Sequence, residues 1–122
     1  MTGPTPKVRA LVLERDGYHC ARCGVDVRTS PVGYSIQHRV ARGMGGTRRA
    51  SINSPANLLT LCGDGTRGCH GWVEAHPREA QALGLAVSHY IDPATVAVHY
   101  PGGWWLLTDD GSRRPHRQER SA

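Results

Sequence analysis

Residues 57–76 read NLLTLCGDGTRGCHGWVEAH, and the fold turns on how this stretch is parsed. NLLTLC is a short apolar run with strand character, and it ends on a cysteine. GDGTRG is rich in turn residues. CHGWVEA then predicts one or two helical turns, opened by a second cysteine and closed before Pro77. The segment therefore predicts strand, turn-rich loop and helix, with Cys62 and Cys69 at the two sides of a loop looser than a CxxC turn.

The partners of those cysteines lie upstream. Tyr18-His19-Cys20-Ala21-Arg22-Cys23-Gly24 is a CxxCG turn, separated from Cys62 by 38 residues. A two-residue spacer lets one turn supply two thiolates, and tetrahedral zinc takes four. Cys20, Cys23, Cys62 and Cys69 are the chain's only cysteines, so they predict one structural Zn²⁺ site. Two disulfides are the alternative, disfavoured where nothing marks secretion. A closed four-thiolate site has no open position for chemistry, which assigns these residues to folding. His70, next to Cys69, could instead displace one cysteine as a zinc ligand.

Outward from this centre, Pro6 to Asp16 predicts a short helix ended by Gly17, with Val8, Leu11, Val12 and Arg15 at helical spacing. YSIQHRV (34–40) alternates like a strand, ARGMGGTRRASINSP (41–55) is a Gly/Arg-rich loop, and PREAQAL (77–83) is a second helix stopped by Gly84. Val87, Tyr90, Val96, Val98, Tyr100, Trp104, Trp105 and Leu106 have strand chemistry around a PGG turn. They predict a β extension over 85–111, with Trp104 and Trp105 in its core. Residues 112–122 read as a basic, disordered tail. The expected fold class is α+β: one domain over 1–111, its core at 18–84.

Composition fits a stapled small domain. The chain has 122 residues, no Phe, 15 Gly and 8 Pro, which leaves little side-chain volume for a core. Lys and Arg total 15 against 10 acidic residues, for a net charge of +5, and Lys7 is the only lysine. Arg binds phosphate bidentately, so a polyanion such as nucleic acid is the expected partner class. No apolar run suits a signal peptide or a membrane span, which predicts a soluble, cytoplasmic protein without membrane contact.

CARCG, IQHRVARGMGG, NLLTLC and GCHGWVEAHP together resemble the HNH endonuclease family, with its ββα-metal fold. The resemblance covers residues 20–77 and is strongest to HNH proteins of actinobacterial phages. It implies a metal-dependent DNA endonuclease. His38 matches the general base that activates water, and Asn57 the residue that ties down the loop and orients that base. His70 matches a ligand of one catalytic divalent metal (Mg²⁺, Mn²⁺, Ni²⁺ or Zn²⁺). Glu74 is a further ligand candidate, one helical turn on. Gln37 departs from the pattern, since the family usually has Asp or His there, and an amide is the weaker ligand. Arg39, Arg42, Arg48 and Arg49 are expected to clamp phosphates. DNA is the implied partner, with phage packaging components as a second class. The blander readings are a turn residue for Asn57, a solvated helix position for Glu74 and a solvated surface for the arginines. The competing function is a catalytically inactive zinc-knuckle nucleic-acid-binding module or phage accessory protein. DNA specificity and oligomeric state are not readable from these residues.

Overall fold

A computed structural model describes residues 3–41 and 50–117. The fold is a small α+β arrangement of three helices and two antiparallel sheets. Helix α1 spans Pro6–Arg15. Thr5 caps it by accepting the Val8 N–H through Oγ1, and Pro6 supplies a preset φ at the first turn. The chain leaves α1 through Gly17 and Tyr18, both at positive φ. That sharp reversal delivers it directly into the Cys20–Cys23 turn.

Strands β1 (Tyr34–His38) and β2 (Leu58–Cys62) pair antiparallel, with Ile36 opposite Thr60 and His38 opposite Leu58. Alternation along β1 puts Ser35 and Gln37 on one face, and Ile36 and His38 on the other. Every residue of β2 is buried, because both faces of the sheet are covered. Val12 of α1 packs with Ile36 and Leu58 on one side. Leu59 and Leu61 join Val73 in the main core on the other. Helix α2 (Gly68–Ala75) follows the tight loop, and α3 (Pro77–Ala82) begins at the predicted proline.

The β extension differs from expectation at both ends. Its sheet consists of β3 (Val98–Tyr100), β4 (Gly103–Leu107) and β5 (Arg113–Pro115), in that order. Val87, Tyr90 and Val96 therefore lie outside any strand. The cause is Arg39. Its backbone carbonyl takes the Val87 N–H at 2.9 Å, and its guanidinium takes the Pro93 and Val96 carbonyls at 2.9 and 2.7 Å. Backbone groups held by one side chain cannot also join a ladder. At the other end, residues 113–115 form a strand where a disordered tail was expected. Arg113 sits over the rings of Tyr100 and Trp105, 4.5 and 4.1 Å from the centroids. These cation–π contacts hold the basic segment to the sheet. Residues 118–122 lie outside the described residues.

Val98, Tyr100 and Leu107 of this second sheet share one buried cluster with Cys20, Cys62, Cys69 and Val73. The extension thus completes the core. Gly84, after α3, is essential to that junction. Its φ is +72°, and a Cβ there would lie 1.9 Å from the Ala97 carbonyl oxygen. Gly84→Ala is expected to destabilise by at least about 2 kcal/mol, from the left-handed penalty plus the clash. A urea midpoint unchanged from that of the wild-type chain would contradict this.

Candidate functional site

The four thiols come together as their spacing predicts. Their sulfurs all lie within 4.8 Å of one another. Cys23 Sγ and Cys62 Sγ are 3.8 Å apart. A tetrahedron with metal–sulfur bonds of about 2.3 Å has edges of about 3.8 Å. The donor set and its size therefore fit a structural metal such as Zn²⁺. Cys20, Cys62 and Cys69 are buried and Cys23 is exposed.

Local chain geometry makes this possible. Cys23 N–H points at Cys20 Sγ at 3.5 Å, and Cys69 N–H at Cys62 Sγ at 3.3 Å. The GDGTRG loop, which looks loose in the sequence, closes tightly as an Asp64–Arg67 bridge. Asp64 Oδ1 accepts from the Thr66 N–H and hydroxyl, both at 2.9 Å. Gly63 has φ +86°, and a Cβ on it would fall 2.0 Å from the Arg67 carbonyl oxygen. Only glycine permits that closure. Arg22 was not anticipated: its Nη1 donates to Cys69 Sγ at 3.4 Å, while its guanidinium lies 3.7 Å from the Trp72 ring centroid. The Cys20 thiol is held down to about 4, first by a hydrogen bond from the Cys69 thiol. Giving that bond pushes Cys69 up. Burial pushes the Cys23 thiol up as well, so of these three thiols only Cys20 favours the thiolate.

The second group of polar residues surrounds the start of α2. His70 and Glu74 are one helical turn apart, with His70 Nε2 3.5 Å from Glu74 Oε1. Gln37 Nε2 donates to the same Glu74 oxygen at 3.3 Å. His70 Nδ1 is 2.6 Å from Ser35 Oγ. Ser35 in turn donates to the Gly63 carbonyl at 3.1 Å. A hydroxyl has one proton, so that bond makes Ser35 an acceptor toward His70. Nδ1–H then donates to Ser35, and Nε2 faces Glu74. Ser35 was missed, yet strand alternation places it beside Gln37, on the face that meets α2. That signal was available in YSIQH.

His38 lies one residue beyond Gln37 and on the opposite face of β1. Its Nε2 is 2.7 Å from Asn53 Oδ1. An amide oxygen only accepts, so Nε2 is protonated and Nδ1 carries the lone pair of the neutral ring. Asn53 was also missed, because it sits in a loop without periodicity. Asn57 is 1% exposed. Its Oδ1 accepts from Val40 N–H and its Nδ2 donates to the Ile52 carbonyl, both at 2.8 Å. Asn57 therefore ties together the two ends of the long β1–β2 connection, beside His38.

Arg39 requires a correction. It was expected to clamp phosphate, but it is 2% exposed. Nε donates to the Gly84 carbonyl, Nη1 to those of Ala56 and Pro93, and Nη2 to that of Val96, at 2.7–2.9 Å. Burial lowers its pKa to about 10, so it remains a cation at neutral pH. It is a brace, not a ligand for a polyanion. Arg42, Arg48 and Arg49 lie outside the described residues.

Gln37, His38 and Glu74 line an open cleft of about 350 Å³ together with Gln81, Ser88, His89 and Tyr90. A second cleft of about 350 Å³ is lined by Arg15, Asp16, His19, Tyr100 and Arg113. There Arg15 and Asp16 pair with each other, and Arg113 is committed to the rings described above. Among the described residues no helix is long and apolar enough to cross a membrane. Comparison of the chain with protein-family models, with curated proteins and with solved structures finds no match in any of the three.

Proposed function

We propose that the chain is an HNH-type, metal-dependent endonuclease that hydrolyses DNA phosphodiester bonds. The observation that carries this reading is that Gln37, His38 and Glu74 line one open cleft, with His70 3.5 Å behind Glu74. Two ligand atoms about 2.1 Å from one ion lie about 3.0–3.4 Å apart, for right-angled to tetrahedral arrangements. The His70 Nε2 to Glu74 Oε1 distance of 3.5 Å is close to that range. Ser35 accepts from Nδ1 and so orients the ring with Nε2 toward the carboxylate, a common arrangement behind metal-binding histidines.

His38 acts as the general base. Asn53 holds the Nε2 proton, and Nδ1 takes a proton from the attacking water. His70 and Glu74 would hold a divalent cation, which when bound would supply Lewis-acid stabilisation of the phosphate and the leaving oxygen. Asn57 keeps the loop ends, and with them His38, in register. The arginine-rich composition supplies long-range attraction to DNA. Phage origin, a cytoplasmic setting and packaging partners belong to the same reading, and rest on the sequence resemblance alone.

Gln37 favours a second reading. Its amide nitrogen donates to the Glu74 oxygen, which occupies the carboxylate that the metal needs. That contact suits a weakly active enzyme or a zinc-stapled nucleic-acid-binding module. Plasmid nicking in Mg²⁺, Mn²⁺, Ni²⁺ or Zn²⁺ separates the two. Wild-type protein is expected to nick in at least one metal, and His38→Ala to lose at least about 100-fold of that rate. Nicking that survives His38→Ala sinks the mechanism. Binding without cleavage in every metal selects the second reading.

A further inference from the structure

The segment that brings Ser88, His89 and Tyr90 to the cleft has a construction of its own. Residues 84–96 form an irregular segment between α3 and β3, apart from one turn at Pro93–Thr95. Arg39 fastens this segment at four points: its carbonyl receives Val87 N–H, and its guanidinium reaches Gly84, Pro93 and Val96. Val87 is buried against Val40 and Ile52. Among the described residues the Arg39 guanidinium is satisfied by carbonyls alone, and these bonds set the position of the segment relative to the end of β1.

From that anchored segment the loop at 88–91 projects one aromatic ring. Tyr90 is 96% exposed, and its backbone is held through Tyr90 N–H to Ser88 Oγ and Ile91 N–H to the Ser88 carbonyl. Ser88, His89 and Tyr90 line the same cleft as Gln37, His38 and Glu74. A rigidly based, wholly solvated ring beside polar groups suits a flat apolar partner that itself carries polar edges. The chain's net charge of +5 favours a polyanion. A nucleobase on a phosphate backbone meets both requirements.

We infer that Tyr90 is a stacking platform for an unpaired nucleobase, and that the 84–96 segment is the substrate-positioning wall of the cleft. The inference rests on the proposed nucleic-acid substrate and goes beyond it. It assigns a preference for strands whose bases are free to leave the stack. A base inside an intact duplex offers Tyr90 no face, whereas a single strand or a frayed end does.

The test is binding by the zinc-loaded full chain, with no further metal added. The probe is a short single-stranded DNA carrying a fluorescent purine analogue, and the same sequence as a duplex is the second arm. Wild-type protein is expected to quench the single strand. Tyr90→Ala should weaken single-strand binding about tenfold, within the range for one base–aromatic stack, and abolish the quench. Tyr90→Trp should restore both, and duplex binding should change by less than about twofold. Zinc content and circular dichroism check that the variants remain folded. Single-strand binding unaltered by Tyr90→Ala overturns the inference, as does an equal loss on both probes. If plasmid nicking is retained in that case, the nuclease reading survives alone. A wild-type chain that neither binds nor nicks ends both. Stacking without nicking supports the inference and moves the function to the non-enzymatic reading.

Discussion

Stripping zinc from the protein with a chelator is expected to abolish its cooperative fold. Three of the four cysteines, Cys20, Cys62 and Cys69, belong to the main buried cluster. They join the turn after α1, the end of β2 and the start of α2. Without the metal, four mutually close thiols remain in a core that has no Phe. Apparent zinc-binding free energies in such small sites are about 10–16 kcal/mol, comparable to or above the roughly 5–15 kcal/mol stability of a whole domain. Far-ultraviolet circular dichroism should lose its helical signal, and the thermal transition should broaden or vanish. Cys62→Ser should act similarly, because Cys62 also accepts the Cys69 N–H that starts α2. A spectrum unchanged on chelation, with zinc measurably removed, would show that the sulfurs do not hold the fold.

Much of this was legible because the relevant signals are local. CxxC, the proline and glycine boundaries of α3, and the helical spacing of α1 each depend on a few consecutive residues. The three helices and the first two strands fall within a residue or two of the expected places, β1 ending at His38 instead of Val40. The pairing of His70 with Glu74 follows from i,i+4 geometry in the same way. Arg39 was misread for the opposite reason. In an Arg-rich loop its composition suggests a surface, and only the tertiary fold reveals four carbonyls converging on it from Ala56, Gly84, Pro93 and Val96. Val87 and Val96 have strand chemistry, but their backbone groups are engaged by that same arginine. Arg113–Pro115 likewise forms a strand because Tyr100 and Trp105 present rings to Arg113. Nothing local in SRRPHR announces that. Ser35 stands between these cases: alternation places it correctly, but its bond to His70 requires knowing that α2 lies on that face.

Asp16→Ala is the single substitution expected to cost most outside the metal site, because the residue anchors three elements at once. Its carboxylate is fully buried with Arg15. Oδ1 accepts from Arg15 Nε at 2.9 Å and from the Tyr100 hydroxyl at 2.7 Å. Oδ2 accepts from Arg15 Nη2 at 3.1 Å and from Thr60 N–H at 3.0 Å. Arg15 continues to the Pro55 and Leu58 carbonyls at 2.8 and 2.6 Å. The end of α1 is thereby joined to β2 and to β3. Truncating Asp16 leaves the Arg15 charge buried without a counter-ion, and Tyr100 without an acceptor. Breaking such a pair costs about 3–5 kcal/mol, so the urea midpoint should fall steeply. Replacing Arg15 and Asp16 together by apolar residues should recover much of that loss, since the uncompensated charge is gone. A double variant that loses as much as the two single variants added together would mean that the ion pair contributes no coupling. The pH dependence gives an independent reading. Burial, followed by the Asp16 charge, raises the Tyr100 phenol above its ordinary value. The folded state therefore holds that proton where the unfolded chain has begun to lose it. Tyr100's contribution to stability is complete below about pH 10 and is lost as pH rises above it. Tyr100→Phe should flatten this alkaline decline, and an equally steep decline in the variant would place its origin elsewhere.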